Sequence, residues 1–380
     1  MPGRLTTLIE SFDDMPDPRI ERTRAHNLTN ILVMAICAII CGADGWDDIA
    51  SFCHSKEDWL KTILDLPNGI PCSDTFRRVI SRLNATVFEE RFRNWAKSLH
   101  QVTQNEVIAL DGKVLRHSFD TVSGQAPIQM VSAWASKARL VLGQVKVSDK
   151  SNEIPAVPEL LKLLEIAGCI VTTDAMSCQK ATAAQIISQQ ANYILAVKEN
   201  QPTLCEAIKM RFGYLDEHPF EREDYASKTD CEKDHGRIET RHCDIVSLEE
   251  NDLFWGDFQK DWSGLRSLVR ITSIRKSLKQ TTEEVRYFIS SIPKGPLKIL
   301  NAVRQHWSIE NSLHYVLDVS LDEDACRIRK DEGAEMFSVM RHIALNLIRQ
   351  EKTCTRGIRA RRKLAGWDNT YLMKILASGI

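Results

Sequence analysis

Apolar residues fall at helical spacing through the first hundred positions, then gather into short runs alternating with further helical patterns. Pro16 and Pro18 mark an extended entry. Residues 28–41 are apolar almost all round, as a buried helix requires. Gly42 and Gly45 interrupt that run before a second amphipathic stretch at 46–52. Ser73 or Asp74 could cap a helix near 70–83 that turns Phe76, Val79, Ile80 and Leu83 inward. Residues 89–100 predict another, with Phe92, Trp95 and Leu99 on one face.

The pattern changes after Asn105. VIALD (107–111), IQMVSAWAS (128–136) and LVLGQVKV (140–147) predict three strands. A helix at 153–166, a buried strand CIVTTD (169–174), a helix at 179–190, a strand NYILAVK (192–198) and a helix from Pro202 follow. Strands alternating with helices imply parallel pairing in a mixed α/β sheet. Between 212 and 293 polar, charged residues surround three strand candidates, 237–246, 268–275 and 285–292, which suggests a β-rich insertion. Helices return from Pro296 through Leu317 and at 335–349, and a basic tail closes the chain. The expected organisation is a helical domain at 1–104, an α/β core at 105–211 and 294–350, the insertion at 212–293, and the tail at 351–380.

With 43% hydrophobic and 27% charged residues, the 380-residue chain has ordinary globular material for a sizeable core. Its net charge of −1 excludes nothing, because a nucleic-acid enzyme needs local basic surface rather than a basic total. Eleven cysteines are an odd number with no CxxC pair, so they predict reduced thiols in a cytoplasmic protein rather than a disulfide scaffold. Residues 1–19 lack the apolar core of a signal peptide, and the most apolar stretch, 28–43, is too short to span a bilayer.

Asp111 ends one predicted strand and Asp174 another, on the edge where α/β sheets place their sites. Alone, Asp111 reads as a turn-forming Asp and Asp174 as a helix N-cap. Glu310 alone reads as a solvated helical glutamate. Two carboxylates on neighbouring strand ends repel unless protons or cations intervene. A third from a helix laid across the sheet completes an oxygen-rich site for Mg²⁺ or Mn²⁺. Two such ions can activate a water or 3′-hydroxyl and stabilise a leaving oxygen.

The stretches VIALDGKVLRHS, VTTDAMSCQKATA, YILAVKENQPTL, DHGRIETR and RQHWSIENSLHYVLDVSLDEDACRIR resemble the H-repeat-associated proteins, which are DDE insertion-sequence transposases. PDPRIERTRAHNL and ICAIICGADGWDDI resemble the helical domain associated with them. The resemblance implies an RNase H-like catalytic core with a β-rich insertion, and Asp111, Asp174 and Glu310 as a triad holding two divalent ions. It implies double-stranded DNA partners, the element's inverted terminal repeats and a target, and a dimer or larger assembly to join two ends. Asp318, Asp322, Glu323 and Asp324 rank below Glu310 as third ligand; the last three are expected to pair with Arg327 or Arg329 or to face water.

The glutamate helix departs from the broader relatives, where a Tyr, an Arg and a Lys surround the Glu. Here those positions hold Val303, His306 and Leu317. His306 could still contact a phosphate, and Arg304 or His314 could replace the missing cations. Lys113 and Arg116 after Asp111, and Lys198 and Asn200 past the next strand, are further DNA-contact candidates. His235, Arg237 and Arg241 alternate on a predicted strand, where pairing with Glu239 is the competing reading. KTCTRGIRARRK (352–363), with Arg359, Arg361 and Arg362, reads as a phosphate-contacting arm or a merely solvated tail. SDTFRRVISRLN could supply a recognition helix exposing Arg77, Arg78 and Arg82. Cys231, His235, His242 and Cys243 have spacing that fits common zinc sites poorly.

Overall fold

A computed structural model describes residues 5–119, 126–147, 153–220, 224–234, 237–250, 252, 254–277 and 280–377. The first six helices are α1 (Leu5–Phe12), α2 (Leu28–Cys41), α3 (Trp46–Ser55), α4 (Glu57–Leu60), α5 (Ser73–Ile80) and α6 (Ala85–Leu99). The Asn27 side chain caps α2 by accepting from the Asn30 amide, and Gly42 ends it at φ 118°, where a side chain would be strained. Every α2 residue from Leu28 to Ile40 except Asn30 is buried. Among the described residues no single helix is long and apolar enough to cross a membrane; α2 and α3 pass that test only as a pair bent by 94°.

The sheet begins with β1 (Val107–Val114), β2 (Gln129–Ala135) and β3 (Leu140–Lys146). Next come α7 (Glu153–Lys162), β4 (Ile170–Thr173), α8 (Lys180–Ser188), β5 (Asn192–Val197) and α9 (Pro202–Glu217). β1, β4 and β5 run parallel, as the alternation of strands and helices predicts. The insertion contributes β6 (Tyr225–Asp234), β7 (Arg237–Ser247), α10 (Gly256–Asp261), β8 (Ser267–Lys276) and β9 (Thr281–Ser290). These strands do not form a sheet of their own. β9 pairs antiparallel with β5, giving one nine-stranded sheet of order β3-β2-β1-β4-β5-β9-β8-β7-β6. β6 was absent from the expected strands because YASKTDCEKD has no apolar alternation: it pairs only with β7 at the sheet's outer edge.

The chain continues as α11 (Pro296–His306), a π-helical turn (Ile309–His314), α12 (Tyr315–Ser320), α13 (Gly333–Gln350), α14 (Ile358–Trp367) and α15 (Asn369–Ala377). Strand alternation sorts the sheet's two faces. Ile108, Leu110, Val171 and Leu195 pack with α7, α8 and α9. Val107, Ile170, Ile194 and Phe288 pack with Ile299, Leu300 and Val303 of α11. Asp111 and Lys113 therefore face α11 and the π turn, and Gly112 faces α7.

The secondary structure changes at residue 104, but the apolar core does not stop there. One cluster joins α2 and α6 to Ala109, Trp134 and Val141 of the sheet and to α13, whose residues are buried from Gly333 to Arg349. The expected basic tail is a correction. Residues 358–377 form two helices, and Ala365, Leu372, Ile375 and Leu376 complete the core around α2. All eleven cysteines are free.

Candidate active site

β1 runs past Asp111 to Val114, but its parallel neighbour stops at the pair Leu110–Thr173. Asp111, still paired with Ser132 of β2, thus stands beside Asp174, the first residue past β4, on the α11 face. Asp111 accepts from the Gly112 amide at 3.0 Å and lies 3.4 Å from His314 Nδ1. Burial raises its pKa to about 7, helped by the charges of Asp174, Glu153 and Glu310 and opposed by the Gly112 bond. Asp174 is half-buried and accepts from the Ser177 amide at 3.1 Å within the turn before α8; that helix has Gln179 at its N-cap, so Asp174 is not the helix cap it could have been. Glu310 is exposed on the first turn of the π segment. All three acids line one cleft of about 220 Å³, room for a phosphodiester group but not for a duplex.

Among the described residues, no three His, Cys, Asp or Glu side chains already stand together as a metal-binding group. The acids are nevertheless near enough for Asp174 and Glu310 to raise the Asp111 pKa. That unrelieved repulsion between hard oxygen donors is what a divalent cation would remove. Among the described members of the cysteine and histidine set near 231–243, Cys243 is buried, and His242 bonds Thr229 at 2.7 Å and Asp244 at 2.8 Å.

Sequence reading placed several cations near DNA that the structure commits elsewhere. Lys113 donates to Asp318 and, at 2.6 Å, to Glu323. Burial opposes its charge, but those two carboxylates outweigh burial and raise its pKa. Asp318 and Glu323 are thereby explained without a metal, and Asp324 pairs with the exposed Arg116 at 3.3 Å rather than with Arg327 or Arg329. Arg304 is held by Asp230 at 3.0 Å and by Glu232; Arg241 by Glu232 at 3.0 Å and Glu239 at 2.9 Å. His306 bonds Thr172 Oγ1 at 3.0 Å. Burial lowers the pKa of both His306 and His314 to about 4, so neither supplies a cation at neutral pH.

Arg361 and Arg362 are the clearest corrections. Both are buried in α14, where Arg361 bonds Tyr371, Glu351 and the Ile348 carbonyl, and Arg362 bonds the Ile39 and Ser320 carbonyls. Only Arg359 of the three is exposed. Asn200 ties the loop after β5 to the Ala175 carbonyl, and Lys198 lines the acid cleft. Arg237 is exposed on β7; His235 lies outside the described residues. Arg78 and Arg82 are exposed, whereas Arg77 pairs with Asp74 at 2.7 Å.

Three residues beside the acids escaped sequence reading. Glu153 begins α7 after an undescribed stretch and lies over Gly112, where a Cβ would stand 1.9 Å from its Oε1. Arg286 and Trp307 line the acid cleft, and the guanidinium of Arg286 lies 4.5 Å from the Trp307 ring centroid. A lone arginine in VRYF carries no signal that separates it from any solvated strand residue.

Comparison with known proteins bears on both halves of the chain. Residues 103–347 match the family described as Transposase DDE domain, and residues 9–96 match DDE_Tnp_1-associated. The "H repeat-associated putative transposase YhhI" of Escherichia coli strain K12 is 41% identical over 98% of this chain and 98% of its own length. The "Putative transposase YncI" of Escherichia coli O157:H7 is 40% identical over 98% of this chain and 95% of its own. Among solved structures, a piggyBac transposase synaptic complex with hairpin DNA aligns at TM-score 0.44 and 10% identity, covering 98% of this chain and 76% of that one.

Proposed function

The chain belongs to the DDE transposase family, and from that premise we propose that it cuts DNA at the ends of a bacterial insertion sequence and joins the freed 3′-hydroxyls to target DNA. The reading rests on one observation: Asp111 is half-buried beside other acids, and burial and their charges together raise its pKa, at a cleft on the open edge of parallel strands. β3-β2-β1-β4-β5, three antiparallel strands followed by two parallel ones, is the arrangement expected of an RNase H-like core.

Asp111, Asp174 and Glu310 are the residues that would hold two Mg²⁺ or Mn²⁺ ions. Such ions, when bound, supply a hydroxide-like nucleophile and charge neutralisation at the scissile phosphate. The protein's part is to hold the carboxylates. Asp111 is fixed by the Gly112 amide and Asp174 by the Ser177 amide. Glu310, exposed on its turn, is free to close onto the site. His314, neutral beside Asp111, leaves the carboxylate available rather than neutralising it. The chain would act in the cytoplasm on double-stranded DNA, as a dimer or larger assembly because two ends must be joined in concert. The helical layer and the insertion would recognise the terminal repeats.

The test is incubation with Mn²⁺ and DNA bearing the element's terminal repeats. Cleaved and joined products are expected, and Asp111→Ala, Asp174→Ala and Glu310→Ala should each abolish them while sparing DNA binding. Cleavage without any joined product would make the protein a nuclease. Activity that survives Glu310→Ala but not Asp318→Ala would replace Glu310 as the third acid.

A further inference from the structure

The cleft needs a cation for the substrate phosphate, and the positions where the broader relatives carry an Arg and a Lys hold His306 and Leu317 here. His306 is bonded to Thr172 and His314 lies against Asp111, and Lys113, Arg241 and Arg304 each face two carboxylates. Removing one of those cations from its site would strand charge. Arg286 differs. β9 pairs with β5 through Val197–Tyr287, which places Arg286, within β9, next to Lys198, the first residue past the end of β5. On the face shared with α11, Asp174, Lys198 and Arg286 border the same cleft. The guanidinium lies against Trp307, itself on the cleft wall, which fixes its plane.

The partner that Arg286 now holds shows the geometry it can offer. Its Nε and one terminal nitrogen bond the two oxygens of Glu284, each at 2.7 Å. A fork of that kind fits two phosphate oxygens equally well. Glu284 is exposed and sits two residues away on the same strand. An exposed pair of this sort contributes only about 0–1 kcal/mol, so exchanging it for a phosphate costs little.

We propose that Arg286 is the substrate-binding arginine of the cleft, stacked on Trp307, covered by Glu284 in the free protein, and transferred to a DNA phosphodiester when DNA docks. The inference rests on the cleft being the phosphoryl-transfer site proposed above.

Binding of duplex DNA by the full chain in Ca²⁺, measured across a salt series, tests it. Arg286→Gln should weaken binding about tenfold or more, the loss of one charge-assisted contact. The slope of log affinity against log salt should fall by about one. Arg286→Lys should fall between Arg286→Gln and wild type, because a point charge cannot fork. Glu284→Gln should tighten binding by uncovering the guanidinium. This variant keeps Arg286, so it decides the matter if Arg286→Gln does not fold. Wild-type affinity and slope in Arg286→Gln, or weakened binding in Glu284→Gln, would overturn the proposal. A Mn²⁺ thermal-shift series separates this inference from its premise. If wild type gains no stability from Mn²⁺ and cleaves nothing while Arg286→Gln still loses affinity, the metal reading fails and the phosphate site stands.

Discussion

Asp111→Asn should make the metal-free protein more stable while destroying its function. The aspartate titrates near 3.8 in an unfolded chain and is raised to about 7 in the fold, chiefly by burial and then by Asp174. Between those values the folded state holds the extra proton, so stability falls as pH rises through the window and the full penalty is present above it. A shift of roughly three units corresponds to a ceiling of about 4 kcal/mol. Asp111 keeps a quarter of its side chain exposed (26%), which admits water and screening. A realised cost of about 2 kcal/mol is the better expectation. Asparagine has the same shape and retains the oxygen that accepts from Gly112. In EDTA, denaturant melts of the two proteins should coincide near pH 4, diverge up to about pH 7 in favour of the variant, and stay apart above. Added Mn²⁺ should raise wild type and leave Asp111→Asn unmoved. A variant no more stable than wild type at pH 8 without metal would refute the claim that these acids repel one another.

Three further outcomes follow from the same geometry. Arg361→Ala should cost about 3–5 kcal/mol in urea melts, because it leaves the buried Glu351 carboxylate without its cation. The exposed Arg359→Ala should change stability by less than about 0.5 kcal/mol, and equal effects would mean that α14 is not buried as described. Glu89→Gln should stabilise the protein increasingly from about pH 5 to pH 8, by up to on the order of 3 kcal/mol, since burial beside Glu335 raises Glu89 to about 8; parallel pH profiles for the two proteins would contradict this. Gly112→Ala drives a methyl into the carboxylate end of Glu153, which can swing aside, and should cost no more than about 1 kcal/mol, with Glu153→Ala restoring most of it. No rescue in the double variant would place the strain elsewhere.

Much of the sheet was legible because buried strands announce themselves. VIALD, CIVTTD and NYILAVK are apolar on both faces, and only a sheet covered on both sides requires that. Their order with the intervening helices implied parallel pairing, which put Asp111 and Asp174 on one edge. β6 was illegible because an exposed edge strand selects for polar residues. The basic helix α14 misled for another reason: a charge run looks the same whether its partners are water or carbonyls, and Arg362 finds Ile39 at the other end of the chain. Lys113 likewise reads as a free cation until folding delivers Asp318 and Glu323. Composition reveals what a side chain can do; only the closed fold reveals what has already claimed it.

The burial of α2 has a consequence for biosynthesis. Its apolar surface is covered largely by α13 and α14, made some three hundred residues later. Until α13 and α14 leave the ribosome, α2 has only α1, α3 and α5 for cover, and the emerging protein must be shielded by chaperones or risk clumping. A copy of the gene cut short before residue 333 would keep every acid of the cleft yet yield a product unable to close its core. Such truncation would silence the protein through quality control, with its cleft acids encoded but never assembled in the cell.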